Sequence, residues 1–266
     1  WWVGNAAAAK LPEHKSASDG NQGTFSDPFS TLDYAVGKAV ASRGDVIMIK
    51  PGHAETFDTA TECAFDKAGV AIVGLGFGSL RPTFTFATAN TASIAVSVAN
   101  VAIQNCIFVA NFLDIAACFT LTGATDFTVE KCEFRDTSAI LNFINLIDTS
   151  AVANAADGLY FCNNRILSSS TTALTTAIEV DEAISRMQVN DNFYVGAVLN
   201  NTPALIEAAA FDMTNLEVAR NIVYRPNTDS ATGGLLLEGT TTASTGMVYG
   251  NHIKSLDIAG MLIMTT

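Results

Sequence analysis

The octad LYFCNNRI (159–166) returns as MQVNDNFY (187–194), LEVARNIV (216–223) and GMVYGNHI (246–253), and is preceded by VAIVGLGF (70–77), VAIQNCIF (101–108) and FTVEKCEF (127–134). The sixth positions are Leu75, Cys106, Cys132, Asn164, Asn192, Asn221 and Asn251, separated by 31, 26, 32, 28, 29 and 30 residues. A period that drifts about thirty residues marks stacked coils whose insertions fall in loops.

Positions one and three of the octad are almost always apolar: Val101 and Ile103, Phe127 and Val129, Leu159 and Phe161, Met187 and Val189, Leu216 and Val218. That alternation is a strand with one buried face. The parity then changes. The next inward pair is positions six and eight: Cys106 and Phe108, Cys132 and Phe134, Asn164 and Ile166, Asn192 and Tyr194, Asn221 and Val223, Asn251 and Ile253. Two strands meeting at a bend produce this shift. Position five marks the bend and is polar or glycine throughout: Gly74, Asn105, Lys131, Asn163, Asp191, Arg220 and Gly250.

A second strand family precedes the octads: ASIAVSV (92–98), CFTLTG (118–123), FINLID (143–148), TAIEVD (176–181), ALIEAA (204–209), LLLEG (235–239) and GMLIM (260–264). Each coil therefore holds three short strands, and stacking pairs every strand with its equivalents above and below. The expected fold is all-β, a right-handed parallel β-helix of about 7–8 coils. Cys106, Cys132, Asn164, Asn192, Asn221 and Asn251 then form an interior ladder, whose amides hydrogen-bond from coil to coil.

The sequence divides into an extended N-terminal arm (1–30) and a single solenoid domain (31–266). TLDYAVGKAVA (31–41) reads as a capping helix with Leu32, Ala35, Val36, Ala39 and Val40 on one face, Pro28 and Ser30 before it and Gly44 after it. The chain stops at a strand-like GMLIMTT, an open end that a neighbouring subunit is expected to cover. The loops 60–69, 148–158, 225–234 and 240–246 are rich in small and polar residues and are the places where recognition is expected.

Charged residues make up 15% of the chain, against about 25% in ordinary soluble domains. Two readings compete for this: Thr, Ser and Asn in place of charges on the outer faces, or an outer surface covered by other subunits. The net charge of −12, with no Lys/Arg run, excludes nucleic-acid backbone binding. No stretch reaches the roughly 18 apolar residues of a membrane span, and WWVGNAAAAK lacks the form of a signal peptide. The absence of a leading methionine suggests that the natural start lies upstream. Cys63, Cys106, Cys118, Cys132 and Cys162 form no C-x-x-C pair and read as free core thiols, with no metal and no cofactor expected.

DGNQGTFSDPFSTLDYAV (19–36) followed by GDVIMIKPGHAET (44–56) resembles the opening of the pectate-lyase-like right-handed β-helix superfamily. The Asp-Gly lead, the Pro-Phe-x-Thr-Leu entry to the capping helix and the Gly-Asp-x-Ile…Pro-Gly run carry the likeness. That superfamily includes polysaccharide lyases and hydrolases, surface proteins, and bacteriophage tailspikes and other virion proteins. The Ala/Thr-rich, low-charge coils, such as RPTFTFATA (81–89), are most similar to phage-encoded members. The resemblance implies a non-enzymatic structural protein on the exterior of a phage particle. It would be a homo-oligomer, most simply a trimer, that decorates or stabilises the capsid or forms a spike, with virion proteins such as the major capsid protein as partners. The alternatives are a polysaccharide lyase or glycosidase, and a sugar-binding adhesin that holds a surface polysaccharide.

A lyase of this kind implies acidic calcium ligands stacked on one sheet beside an Arg or Lys base. The outward acids read from sequence are Glu130, Glu133, Asp136 and Asp191, with Arg135, Arg165 and Arg220 nearby, but no two adjacent coils place an acid at the same outward position. A glycosidase needs two carboxylates about 5–10 Å apart; Asp157, Asp181 and Glu182 lie in turns, and Asn227-Thr228-Asp229 is similar to one polygalacturonase element whose companions are absent. His14, His53 and His252 have no carboxylate partner in sequence. No catalytic residue is assigned on these grounds.

Outward position seven holds Ile107, Glu133, Arg165, Phe193, Ile222 and His252. Ile107, Phe193 and Ile222 are expected to form part of a subunit interface around a threefold axis. Trp1, Trp2 and Val3 are expected to anchor in a neighbouring protein.

Overall fold

The structure is a computed structural model that describes residues 1–5, 15–60, 62–149, 152–169, 176–196, 205–208, 211–225, 236–238, 244–255 and 263–265. Three long parallel sheets of nine, eight and six strands run along the stack. Each coil contributes one strand to each sheet in chain order, as in Thr128–Glu130, Glu133–Asp136 and Phe143–Asp148. The octads supply the first and second sheets, and the other strand family supplies the third. The six strands of the third sheet close six complete turns, slightly fewer than the periodicity suggests. Two further strands of the second family, Leu236–Glu238 and Ile263–Thr265, pair with each other as a separate two-stranded sheet.

Like residues stack on like because every strand pairs in parallel with its own equivalent. Ile72, Ile103, Val129, Phe161, Val189 and Val218 form one column of the first sheet. Phe84, Phe108, Phe134, Ile166, Tyr194 and Val223 form the facing column of the second. The rings of Phe84 and Phe108 stack at 5.7 Å and those of Phe108 and Phe134 at 5.2 Å. These columns are fully buried, so each coil adds a slice to one continuous narrow core.

The parity change at position five is a residue in left-handed conformation. Asn105, Lys131, Asn163, Asp191 and Arg220 have φ between 56° and 58°, and Gly250 has φ 64°. A second column of left-handed residues stands just before each octad: Gly69, Asn100, Asp126, Gly158, Arg186 and Asn215. It turns the chain from the third sheet back to the first. Four of these six are Gly or Asn and one is Asp, the types that tolerate positive φ. That composition is a sequence signal for the second bend, which the octad alone does not reveal.

The first octad departs from the pattern. After Gly74 the chain loops out through a short 3-10 turn, Gly78–Leu80, before the second-sheet strand Thr83–Phe86. Leu75 is therefore not equivalent to Cys106, and Phe77 is 91% exposed instead of inward. A Cβ at Gly74 would lie 2.5 Å from the Asn105 carbonyl oxygen, so only glycine fits beneath the next coil.

The capping helix spans Leu32–Lys38, with Thr31 as N-cap. Leu32, Ala35, Val36 and Ala39 are buried as expected, but Val40 is exposed because the helix has ended before it. Asp19 of the Asp-Gly lead accepts hydrogen bonds from the Ser30 and Thr31 amides and the Thr31 hydroxyl. Trp2–Val3 pairs in parallel with Met48–Ile49. Trp2–Val3 thus forms the first strand of the first sheet. The Trp1 ring lies against Phe29 at 5.8 Å and the Trp2 ring against Phe25 at 4.9 Å. Most of the C-terminal segment expected to be covered by a neighbour, and most of the loops 225–234 and 240–246, lie outside the described residues.

Candidate functional site

The asparagine column sits at the bend between the first and second sheets. Asn164 Oδ1 accepts from the Cys132 amide and its Nδ2 donates to the Val129 carbonyl. Asn192 repeats this with the Asn164 amide and the Phe161 carbonyl, Asn221 with the Asn192 amide and the Val189 carbonyl, and Asn251 with the Asn221 amide and the Val218 carbonyl. Each side chain reaches back one coil and satisfies the two backbone groups that the left-handed bend leaves open. Cys132 and Cys106 occupy the same column lower down, where the Cys132 thiol donates to the Ile103 carbonyl at 3.8 Å. All five cysteines are free and buried, and burial pushes the Cys132 thiol up to about 12. The ladder is structural chemistry; it offers nothing to a ligand.

The third sheet holds the arrangement that the sequence reading missed. Asp148 is the register partner of Glu179, and Glu179 of Glu207. Three consecutive coils therefore do place an acid at the same outward position, about 4.8 Å apart along the stack. The sequence reading failed because the loops from the second to the third sheet vary in length, so the octads do not set the register of these strands. Aligned by their ends, FINLID and TAIEVD would pair Asp148 with Asp181; the actual pairing is Ile147 with Ile178. Asn145 Nδ2 donates to Glu179, and the Thr176 hydroxyl donates to Glu207 at 3.0 Å. Burial, then repulsion from Asp181, Asp148 and Glu207, raises Glu179 to about 7, against the Asn145 hydrogen bond that lowers it. Asp181 is also raised, by burial and by Asp148 and Glu182. The charges acting on Glu179 are all carboxylates, and among the described residues no group of three or more His, Cys, Asp or Glu is placed to share a metal ion.

The second sheet carries a different outward face. Ile107, Glu133, Arg165, Phe193, Ile222 and His252 do form one register column. Phe193 and Ile222 are 39% and 45% exposed, but Ile107 is 1% exposed and does not face solvent. Arg81, from the coil below that of Ile107, pairs with Glu133 on the coil above it at 2.7 Å. Two more guanidiniums approach the same carboxylate, Arg135 at 3.5 Å and Arg165 at 3.8 Å. Arg165 and Arg135 keep much of their surface exposed. The parallel column on this face runs Val109, Arg135, Leu167, Val195 and Tyr224. Leu167, Phe193, Val195, Ile222 and Tyr224 thus form one outward apolar band across three coils, with the arginines at its lower edge.

Several of the remaining polar groups read from the sequence have local partners. His53 is buried with Nε2 3.1 Å from Glu55, a carboxylate that also accepts the Leu32 amide at the start of the capping helix. The absence of a carboxylate partner inferred for His53 is therefore corrected: strand alternation puts residues 53 and 55 on one side. Glu130 pairs with Lys131, and Asp191 is held in its charged form by Arg220. Asp136 accepts from Ser168 and Asp157 from the Ser185 amide. A shallow groove of ≈ 540 Å³ beside the first sheet is lined by Asp126, Arg186, Gln188, Glu217 and Met247, and the Asp126–Arg186 ion pair closes one side of it. His14 and Asn227, Thr228 and Asp229 lie outside the described residues.

No protein-family model matches the chain, and no curated protein sequence does. A rhamnogalacturonan lyase of known structure is similar, at 16% identity and a TM-score of 0.44, over 89% of this chain and 72% of that one.

Proposed function

We propose that the chain is a non-enzymatic structural protein of a bacteriophage particle, a self-assembling β-solenoid that decorates the capsid or forms a spike. One observation carries the assembly: the outward apolar band of Leu167, Phe193, Val195, Ile222 and Tyr224, continuous over three coils of a chain with few surface charges. A solvated sheet face carries scattered apolar residues; a continuous two-column band is what a protein–protein contact requires. The likeness of the Ala/Thr-rich, low-charge coils, such as residues 81–89, to phage-encoded β-helix proteins supplies the setting. Native mass spectrometry of the purified chain reads an oligomer, most simply a trimer, and the double change Phe193→Asp with Ile222→Asp yields folded monomer. An unchanged mass in that variant, or a monomeric starting protein, overturns the reading. Imaging of the native particle then gives the location.

A second reading, a glycoside-cleaving enzyme, is favoured by Glu179. A carboxyl group held near 7 beside carboxylates on the adjacent rungs has the makings of a proton donor with an ionised partner. Release of reducing ends from acidic polysaccharides, abolished by Glu179→Gln, would establish it. No release from a broad panel would remove it.

A further inference from the structure

Two faces of the solenoid carry opposite charge at the same height. On the coils beginning at Thr128, Tyr160 and Gln188, the second sheet presents Arg135, Arg165 and Phe193, with Arg81 reaching in from below. Three guanidiniums there stand against two carboxylates, Glu133 and Asp136, so the face carries a net positive charge in a chain of net charge −12. The third sheet of the same three coils presents Asp148, Glu179 with Asp181, and Glu207.

We propose that the second-sheet face docks on the third-sheet face of a second copy of this chain, with the solenoid axes parallel. The proposal rests on the self-assembly reading above and names the surface that the apolar band meets. Rotation about an axis parallel to the solenoid leaves the height of every coil unchanged. Arg135 and Arg165 of one copy therefore arrive level with Asp148 and Glu179 of the next, and Phe193 arrives level with Glu207. The alternative pairing, like face on like face, sets guanidiniums against guanidiniums or carboxylates against carboxylates, and like charges at close range select against it. The charges supply register and choice of face. Since the two mating surfaces differ, the contact is heterologous. It closes as a ring of three or more copies and excludes a twofold dimer, which pairs one surface with itself.

The test is charge reversal read by native mass spectrometry and sedimentation, with circular dichroism to verify folding. Arg135→Glu with Arg165→Glu weakens assembly at least tenfold, as does Asp148→Lys with Glu179→Lys. The chain carrying all four changes assembles again, because both mating faces are reversed together. If the fourfold variant does not fold, the milder Arg165→Gln and Glu179→Gln read the same contact: their effects on the dissociation constant are non-additive. A dimer as the native species overturns the proposal, and so does assembly insensitive to either charge-reversed face. Additive effects in the neutral pair, or a folded fourfold variant that stays dissociated, also overturn it. A monomeric wild-type chain sinks the self-assembly reading itself. An oligomer broken by the Phe193/Ile222 pair yet indifferent to the charge changes sinks only the choice of mating face.

Discussion

Replacing Asn192 by Ala removes one rung of the interior ladder. The side chain is fully buried and makes three hydrogen bonds: it accepts from the Asn164 amide at 2.9 Å, and donates to the Phe161 carbonyl at 2.9 Å and to Asn221 Oδ1 at 3.0 Å. Alanine leaves the Asn164 N–H and the Phe161 C=O facing a void lined by the core. An orphaned buried group costs about 1–3 kcal/mol, and with two stranded the expected loss is roughly 2–5 kcal/mol. In a chain of this size each kcal/mol moves the thermal midpoint by about 2–4 °C, so a fall of roughly 7–14 °C is expected at the middle of that range. Scanning calorimetry measures it. Hydrogen exchange adds a local readout: the Asn164 amide loses protection, while amides around Cys106, three coils below Asn192, keep theirs. Asn192→Asp retains the acceptor but loses both donations and buries a charge, so it falls at least as far. Thr128→Ala, on the outward side of the first sheet, is the control and stays within about 0.5 kcal/mol. If Asn192→Ala melts with that control, the staple between coils is not what holds the bend.

The third-sheet acids make the isolated chain less stable as pH rises. Glu179 moves from its ordinary 4.5 to about 7 on folding, so between these values the folded state binds more protons than the unfolded one, and stability declines across that window. Glu179→Gln flattens the slope in urea midpoints measured from pH 4.5 to 7; a slope equal to the wild type's contradicts the assignment. The thiols are silent in the native state. Burial lifts Cys132 to about 12 and Cys162 to about 11, so a disulfide reagent at pH 8 labels none of the five within minutes and all five after unfolding. Rapid stoichiometric labelling of the folded chain contradicts the packing.

The octads made the first two sheets readable because one short bend joins their strands. The spacing between the inward residues is therefore constant in every coil from Cys106 to Asn251, and the asparagines announce themselves at a fixed place. The second column of left-handed residues was equally regular, yet Arg186 among the glycines, asparagines and aspartate hides it from a reading based on apolar alternation. The third sheet was misread for the opposite reason. Its strands follow loops of unequal length, so which residue of TAIEVD meets which residue of FINLID depends on core packing, through Ile147 on Ile178. The acids on adjacent rungs appear only once that packing is set.

Sequence alone determined that the chain climbs in equivalent coils with an amide-stapled bend, because a parallel stack repeats the same local environment and the same residue types recur to meet it. Only the tertiary structure decided what the outer faces display. Arg81 lies 52 residues from Glu133, yet it pairs with that carboxylate, while the neighbouring Ile107 is buried, so a predicted apolar spot becomes part of a cationic cluster. The physical reason is that interior positions answer to one shared core, whereas each outer face is assembled from side chains and loops whose separation along the chain says little about their separation in space.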